Sequence, residues 1–293
     1  MLFPVRKLDR KEIPEKLLEI PEPPKDLYIR GAMWNPEHKL LCVVGSRAFT
    51  PYGKQVVEKL ISGLAGQPIT IVSGLAMGID SLAHKSAMDY GLNTIAVPGS
   101  GLNDDVLYPV ANRKLAKEIL EYGGCLLSEF EPDAKSMIHF FPQRNRIMAG
   151  LCDAVLIVEA EIKSGTLITA RLATEYNRDV LTIPGSIFSA TSEGPHMLLK
   201  LGATPVRTSE DILDALHIAY LQSDLPACRQ EMLRKYKDLS KEEKQIIDAL
   251  SSPISKDDLF NKISIPVSEA QGILMMLEIK GLIKEEFGEI RLA

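Results

Sequence analysis

Six short apolar runs end in small residues, and this pattern restricts the fold more than any other feature of the chain. Residues 41–44 run into Gly45-Ser46-Arg47, residues 69–72 into Ser73-Gly74, and residues 94–97 into Pro98-Gly99-Ser100-Gly101. Residues 125–127 run into Ser128-Glu129, residues 154–158 lead to Lys163-Ser164-Gly165-Thr166, and residues 180–183 to Pro184-Gly185-Ser186. Runs rich in β-branched residues, separated by segments of helical periodicity, mark parallel strands buried on both faces. Glycine and serine at the strand ends let an anion approach bare backbone N–H groups. Arg47 and Lys163 stand where they add positive charge. The pattern predicts a phosphate-bearing ligand along the carboxyl edge of one sheet.

At 293 residues the chain exceeds one average domain. Four segments are expected: a lead-in over 1–38, an α/β unit over 39–220, a linker over 221–239 and a small unit over 240–293. Pro14, Pro21, Pro23 and Pro24 punctuate the lead-in, which reads as extended, with residues 27–29 as a short edge strand. Helices predicted over 52–64, 78–90, 112–121, 144–150, 167–176, 196–201 and 210–216 alternate with the strands. That order gives a doubly wound, mostly parallel, Rossmann-like sheet. After the linker, Ser240 and Glu243 read as a capping box opening a helix over 242–250. Helices over 257–262 and 267–280 follow, the latter burying Ile273, Leu274, Leu277 and, at the margin, Met276. A hairpin around Phe287-Gly288 closes the unit as a winged helix.

The formal net charge of −5 excludes bulk attraction to a polyanion, so a nucleic-acid partner needs a local basic patch. Cys42, Cys125, Cys152 and Cys228 lack metal-ligand spacing and read as reduced thiols of a cytoplasmic protein. No apolar run is long enough to span a membrane, and residues 1–19 lack the core of a signal peptide. No metal and no cofactor are expected.

Four constellations carry chemistry. In Gly45-Ser46-Arg47 the glycine permits a tight turn, the hydroxyl and N–H groups suit an anion, and Arg47 can hold a phosphate or stack on a base. In residues 73–80, Gly74 and Gly78 flank a loop that opens a helix toward the crevice. Asp80 and His84 share a face of that helix, either as an acid–base pair or as a structural cap; no nucleophile stands beside them, which favours the cap. In residues 139–146, Phe140 and Phe141 precede Pro142, and Arg144, Asn145 and Arg146 follow within a turn. These are bases' stacking partners and phosphate ligands in one reading, core rings and solvated charges in the other. Lys163-Ser164-Gly165-Thr166 at a helix start makes another anion site. Neither the P-loop pattern nor the G-x-G-x-x-G fingerprint is present, which argues against ATP hydrolysis and against NAD.

Taken together, these constellations resemble the DNA-processing protein A family (DprA, also called Smf) over residues 23–216, entered by Pro-Pro-x-x-Leu-Tyr at Pro23–Tyr28. The closing winged helix resembles the carboxyl-terminal domain of many members, whereas the family's amino-terminal helical, SAM-like domain is expected to be missing or truncated. The resemblance implies an extended Rossmann-like fold that binds single-stranded DNA without reacting on it. It implies protection of incoming strands and help in loading the RecA recombinase during natural transformation or recombination. It also implies a homodimer through the Rossmann-like domain, with contacts around residues 194–206. By motif match, the DNA pocket would take Gly45, Ser46, Arg47, Phe141, Arg144, Asn145, Arg146, Lys163 and Ser164, with Gly74 and Gly78 shaping its floor.

Two features qualify that expectation. Residues 240–293 carry seven Lys or Arg against ten Asp or Glu, a net of −3, and their third helix carries Glu269 and Glu278. A helix that reads duplex DNA is normally basic, so a protein-contact or regulatory role is expected of this unit. The rival reading is a sensor or enzyme of a nucleoside monophosphate on the same fold. Related enzymes carry a Pro-Gly-Gly-x-Gly-Thr-x-x-Glu motif; here Pro98–Gly101 and Pro184–Ser186 have no glutamate in register, and Glu129 is the acid best placed for such work.

Overall fold

Seven parallel strands form the centre of the first unit. A computed structural model describes residues 3–218, 239–250, 254–286 and 288–292. It divides into the units Met1–Tyr220 and Leu221–Ala293. The expected linker lies outside the described residues except for Leu239, as does Cys228.

The strands are β1 (Val5–Lys7), β2 (Tyr28–Gly31), β3 (Lys39–Val44), β4 (Ile69–Ser73), β5 (Asn93–Ala96), β6 (Cys125–Ser128), β7 (Ala154–Ile157), β8 (Asp179–Thr182) and β9 (Thr204–Pro205). Their order across the sheet is β1-β2-β6-β5-β4-β3-β7-β8-β9. Strands β3 to β9 run parallel, while β1 and β2 are antiparallel to each other and β2 to β6. The chain winds outward from β3 to β6, then returns to the far side of β3 as β7. The direction of winding therefore reverses between β3 and β7, and a crevice opens there at the carboxyl ends of the strands.

Alternation along β3 sends Leu41 and Val43 to one core and Cys42 and Val44 to the other. One face is covered by α1 (Glu15–Leu18), α5 (Phe140–Leu151) and α6 (Thr166–Glu175), through Leu17, Ile147 and Ala170. The other is covered by α2 (Pro51–Gly63), α3 (Ile79–Asp89) and α8 (Ser209–Ala215), and farther along by α4 (Arg113–Tyr122). Helix α7 (Glu193–Lys200) precedes β9. Cys42, Cys125 and Cys152 are free and buried.

The lead-in differs from its expected form. It is not an open approach: β1 pairs with β2, so β2 is internal and the edge belongs to β1. Leu8, Ile13, Leu17 and Ile20 are buried in the first core, and Lys16 pairs with Asp153. Pro14 precedes α1 directly, and the prolines do not prevent burial of the apolar residues between them. Helix α5 starts a turn earlier than predicted, because Pro142 falls within its first turn, where an N–H would have no intrahelical partner anyway.

The second unit has α9 (Lys241–Ala249), α10 (Lys256–Lys262), α11 (Val267–Ile279) and a small sheet of β10 (Ile254–Ser255), β11 (Ile283–Glu286) and β12 (Glu289–Leu292). The capping box forms: the Ser240 hydroxyl accepts from the Glu243 N–H, and the Glu243 carboxylate from the Ser240 N–H. Leu274 and Leu277 are buried in α11, but Met276 is exposed with Met275 and Ile279.

Candidate functional site

A cavity of about 340 Å³ lies where the winding reverses. Gly45, Ser46 and Arg47 leave β3 on one side, and Lys163, Ser164 and Gly165 lead into α6 on the other. Phe141, Arg144 and Asn145 enter from α5. Eight of the eleven residues expected in the site thus line one cavity. Its volume suits one small ligand or one unit of a polymer. The two loops are tied together, since Thr166 Oγ1 donates to Gly45 O at 3.1 Å. The amino end of α6 opens into the cavity, which favours an anion there.

The charges divide into two kinds. Arg144 is buried at 5% exposure and donates to Val97 O at 2.7 Å, while its Nε has no partner. Asp80, also at 5%, accepts from the N–H groups of Gly74 (3.1 Å) and Ala76 (3.4 Å). Burial pushes the Asp80 carboxyl above its ordinary range, against the attraction of Arg144. Burial also pushes the Arg144 guanidinium down, against the attraction of Asp80. The two therefore offset one another beneath the cavity. Arg47 and Lys163 are exposed, and among the described residues neither forms an ion pair. The Arg47 guanidinium carbon sits 5.7 Å from the centre of the Phe141 ring, a cation–π distance. Glu161 also lies on the rim.

Three expected residues do not line the cavity. Arg146 turns away, ion-paired with the partly buried Glu129 and bonded to Glu22 O at 2.7 Å. Gly74 and Gly78 act from behind rather than as floor. A Cβ on Gly74 would fall 1.6 Å from Arg144 Nη1, so only glycine lets that guanidinium cross. Gly78 has φ +88°, and its Cβ would fall 2.2 Å from Ser46 O and 2.5 Å from Arg47 Cα. Gly78→Ala is expected to cost on the order of 1–3 kcal/mol and to displace the Arg47 loop. A urea midpoint equal to that of the parent would refute this.

Asp80 and His84 do not pair. Thr94 Oγ1 donates to Ile71 O at 3.0 Å, so at the 2.7 Å contact His84 Nδ1 must be the donor to Thr94. His84 Nε2 is left buried without a partner. Burial, reinforced by the Arg144 charge, pushes His84 down to about 3 from 6.5. A lowered folded-state value means that stability present above pH 6.5 is lost as pH falls toward about 3, by on the order of 5 kcal/mol in full. His84→Asn should flatten this acid limb in denaturant titrations; a variant as acid-labile as the parent would clear the histidine.

Glu159 escaped the sequence reading, although a carboxylate placed directly after a buried run is itself a signal. It is 3% exposed and accepts from Thr50 N–H (2.9 Å), Thr50 Oγ1 (2.5 Å) and Thr191 Oγ1 (3.2 Å). It thereby latches the loop that carries Arg47 to the loop that follows β8 and seats a negative charge at the amino end of α2.

Among protein-family models, that of DNA recombination-mediator protein A matches residues 5–217, and that of the DprA winged helix domain matches residues 231–288. Protein Smf of Escherichia coli is 43% identical over 208 residues, which cover 71% of this chain but 55% of that protein, so the chain spans about half the length of that relative. The X-ray structure of DNA processing protein A from Streptococcus pneumoniae is similar at a TM-score of 0.68 and 42% identity, covering 74% of this chain and 75% of that one. A structure of DNA processing protein A from Helicobacter pylori, described for its single-stranded DNA binding mode, is similar at a TM-score of 0.64 and 31% identity, covering 73% of this chain and 96% of that one.

Proposed function

The chain belongs to the DNA recombination-mediator protein A family, and on that premise we propose that its first unit holds single-stranded DNA at the switch-point cavity without reacting on it. One observation carries the reading: Arg47 and Lys163, neither of which forms an ion pair among the described residues, stand on the rim of the same cavity. Phosphates bind at that rim, and an unstacked base lies against Phe141. Sequence need not be read, because phosphate and ring contacts are indifferent to the base.

The acids and the base that the sequence offered to a nucleotide-processing enzyme are otherwise engaged. Asp80 serves backbone N–H groups, His84 is neutral and bound to Thr94, and Glu129 is paired with Arg146. We therefore read the chain as a binding protein that acts in the cytoplasm during recombination or natural transformation. Its partners on this reading are single-stranded DNA, the RecA recombinase and a second copy joined through the Rossmann-like unit. The winged helix, with an acidic balance and exposed Met275, Met276 and Ile279 on its third helix, is assigned to protein contact.

Titration of a labelled short oligo-dT at two salt concentrations tests the reading. With two phosphates neutralised per protomer, the slope of log affinity against log salt should be about −1.4. Equal affinity for duplex DNA, or consumption of a nucleoside monophosphate by the chain, would overturn it.

A further inference from the structure

The loops that follow β3, β7 and β8 succeed one another along the carboxyl edge, in the order of their strands. The first carries Arg47 and, two residues on, Phe49; Tyr52 follows in the first turn of α2. The third carries Ile187 and Phe188 on a turn closed by two bonds to Ser186, from the Phe188 N–H at 3.2 Å and the Ser189 N–H at 3.1 Å. Phe188 is 93% exposed, Ile187 80%, Tyr52 46% and Phe49 36%. The Phe188 ring adds nothing to the core and is open for contact.

These side chains are held in fixed relation to the cavity. The Tyr52 hydroxyl donates to Pro184 O at 2.7 Å, joining α2 to the Phe188 loop. The Glu159 carboxylate bonds Thr50 on one side and Thr191 on the other. The row begins beside Arg47, which also meets the Phe141 ring. Three of its four members are aromatic, and the turn between Ser186 and Ala190 carries no positive charge. That composition suits the faces of bases and not phosphates.

We propose that a single strand leaving the cavity past Arg47 lays its next bases on Phe49, Tyr52 and Phe188, so that the site continues along the sheet edge as an uncharged stacking rail. This rests on the cavity's holding single-stranded DNA. The rail lengthens the site without adding phosphate contacts. Affinity should therefore rise from an oligo-dT of about six nucleotides to one of about twenty with no steepening of the salt slope.

The full chain and its Phe188→Leu and Phe188→Tyr variants distinguish the possibilities; position 188 is exposed, so the fold tolerates both. Phe188→Leu should bind the longer oligo-dT about tenfold more weakly than the parent, bind the short one equally, and leave the mass by light scattering unchanged. Phe188→Tyr should restore the longer complex. Parent-like binding of the longer strand by Phe188→Leu would overturn the rail while leaving the cavity reading intact. A change of mass with unchanged DNA binding would assign this turn to contact between copies and overturn it equally. A parent chain that fails to bind even the short strand would sink the cavity reading and the rail with it.

Discussion

Arg47→Ala is expected to weaken short oligo-dT binding by about 10- to 100-fold, the consequence of losing one charge-assisted contact of about 1.5–3 kcal/mol. It should halve the salt slope, from about −1.4 to about −0.7 per protomer. The reason is the division of charge in the cavity. Arg144 is offset by Asp80 and Arg146 by Glu129, so two rim cations remain to neutralise phosphate. Lys163→Ala should lower the slope by the same amount with a smaller loss of affinity, since Lys163 has no aromatic partner comparable to the Phe141 ring under Arg47. Arg47→Lys separates the two contributions: the slope should persist while the fork geometry and much of the ring contact are lost. If both alanine variants retain the parent's slope, the phosphates are held somewhere else.

The parallel sheet was legible because its strands are buried on both faces and therefore read as continuous apolar runs. The order of the strands was legible only as a class. Nothing in residues 154–158 states that they pair with β3 rather than with β6, yet that pairing creates the crevice. The cavity's side chains were legible as types but not as roles. Arg144, Asn145 and Arg146 are consecutive, and a helix turns each by about 100°, so all three cannot face the cavity: Arg144 and Asn145 line it and Arg146 does not. Arg144 goes under the cavity, and Arg146 goes to Glu129. The glycines were expected as floor and serve as clearance, a distinction that depends on which side chain crosses behind them. Strand β1 was illegible because three residues, two of them charged, carry too little pattern to separate an edge strand from a coil.

The largest effect on stability is expected beneath the cavity. Arg144→Met removes the buried guanidinium that most favours ionised Asp80 and leaves only the weaker influence of Arg47, a loss on the order of 3 kcal/mol near neutral pH. Asp80 already titrates above its ordinary 3.8 because of burial, and losing Arg144 raises it further. A raised folded-state value means that stability is fully present below the unfolded value and is lost as pH rises through the folded one. The deficit of Arg144→Met against the parent should therefore nearly vanish at about pH 4 and grow toward neutrality. The His84 contribution declines over the same acid range; the part due to burial is common to both proteins and cancels, while the part due to the Arg144 charge is relieved in the variant and narrows its acid deficit further. Asp80→Asn keeps an acceptor for the Gly74 and Ala76 N–H groups while removing the charge. In the double variant Arg144→Met/Asp80→Asn no buried charge remains, so it should be more stable than Arg144→Met alone, with a coupling of about 2–3 kcal/mol. Urea titrations of the four proteins at two pH values measure this cycle. Additive losses, or a deficit of Arg144→Met that does not change with pH, would mean that the two charges do not sustain one another.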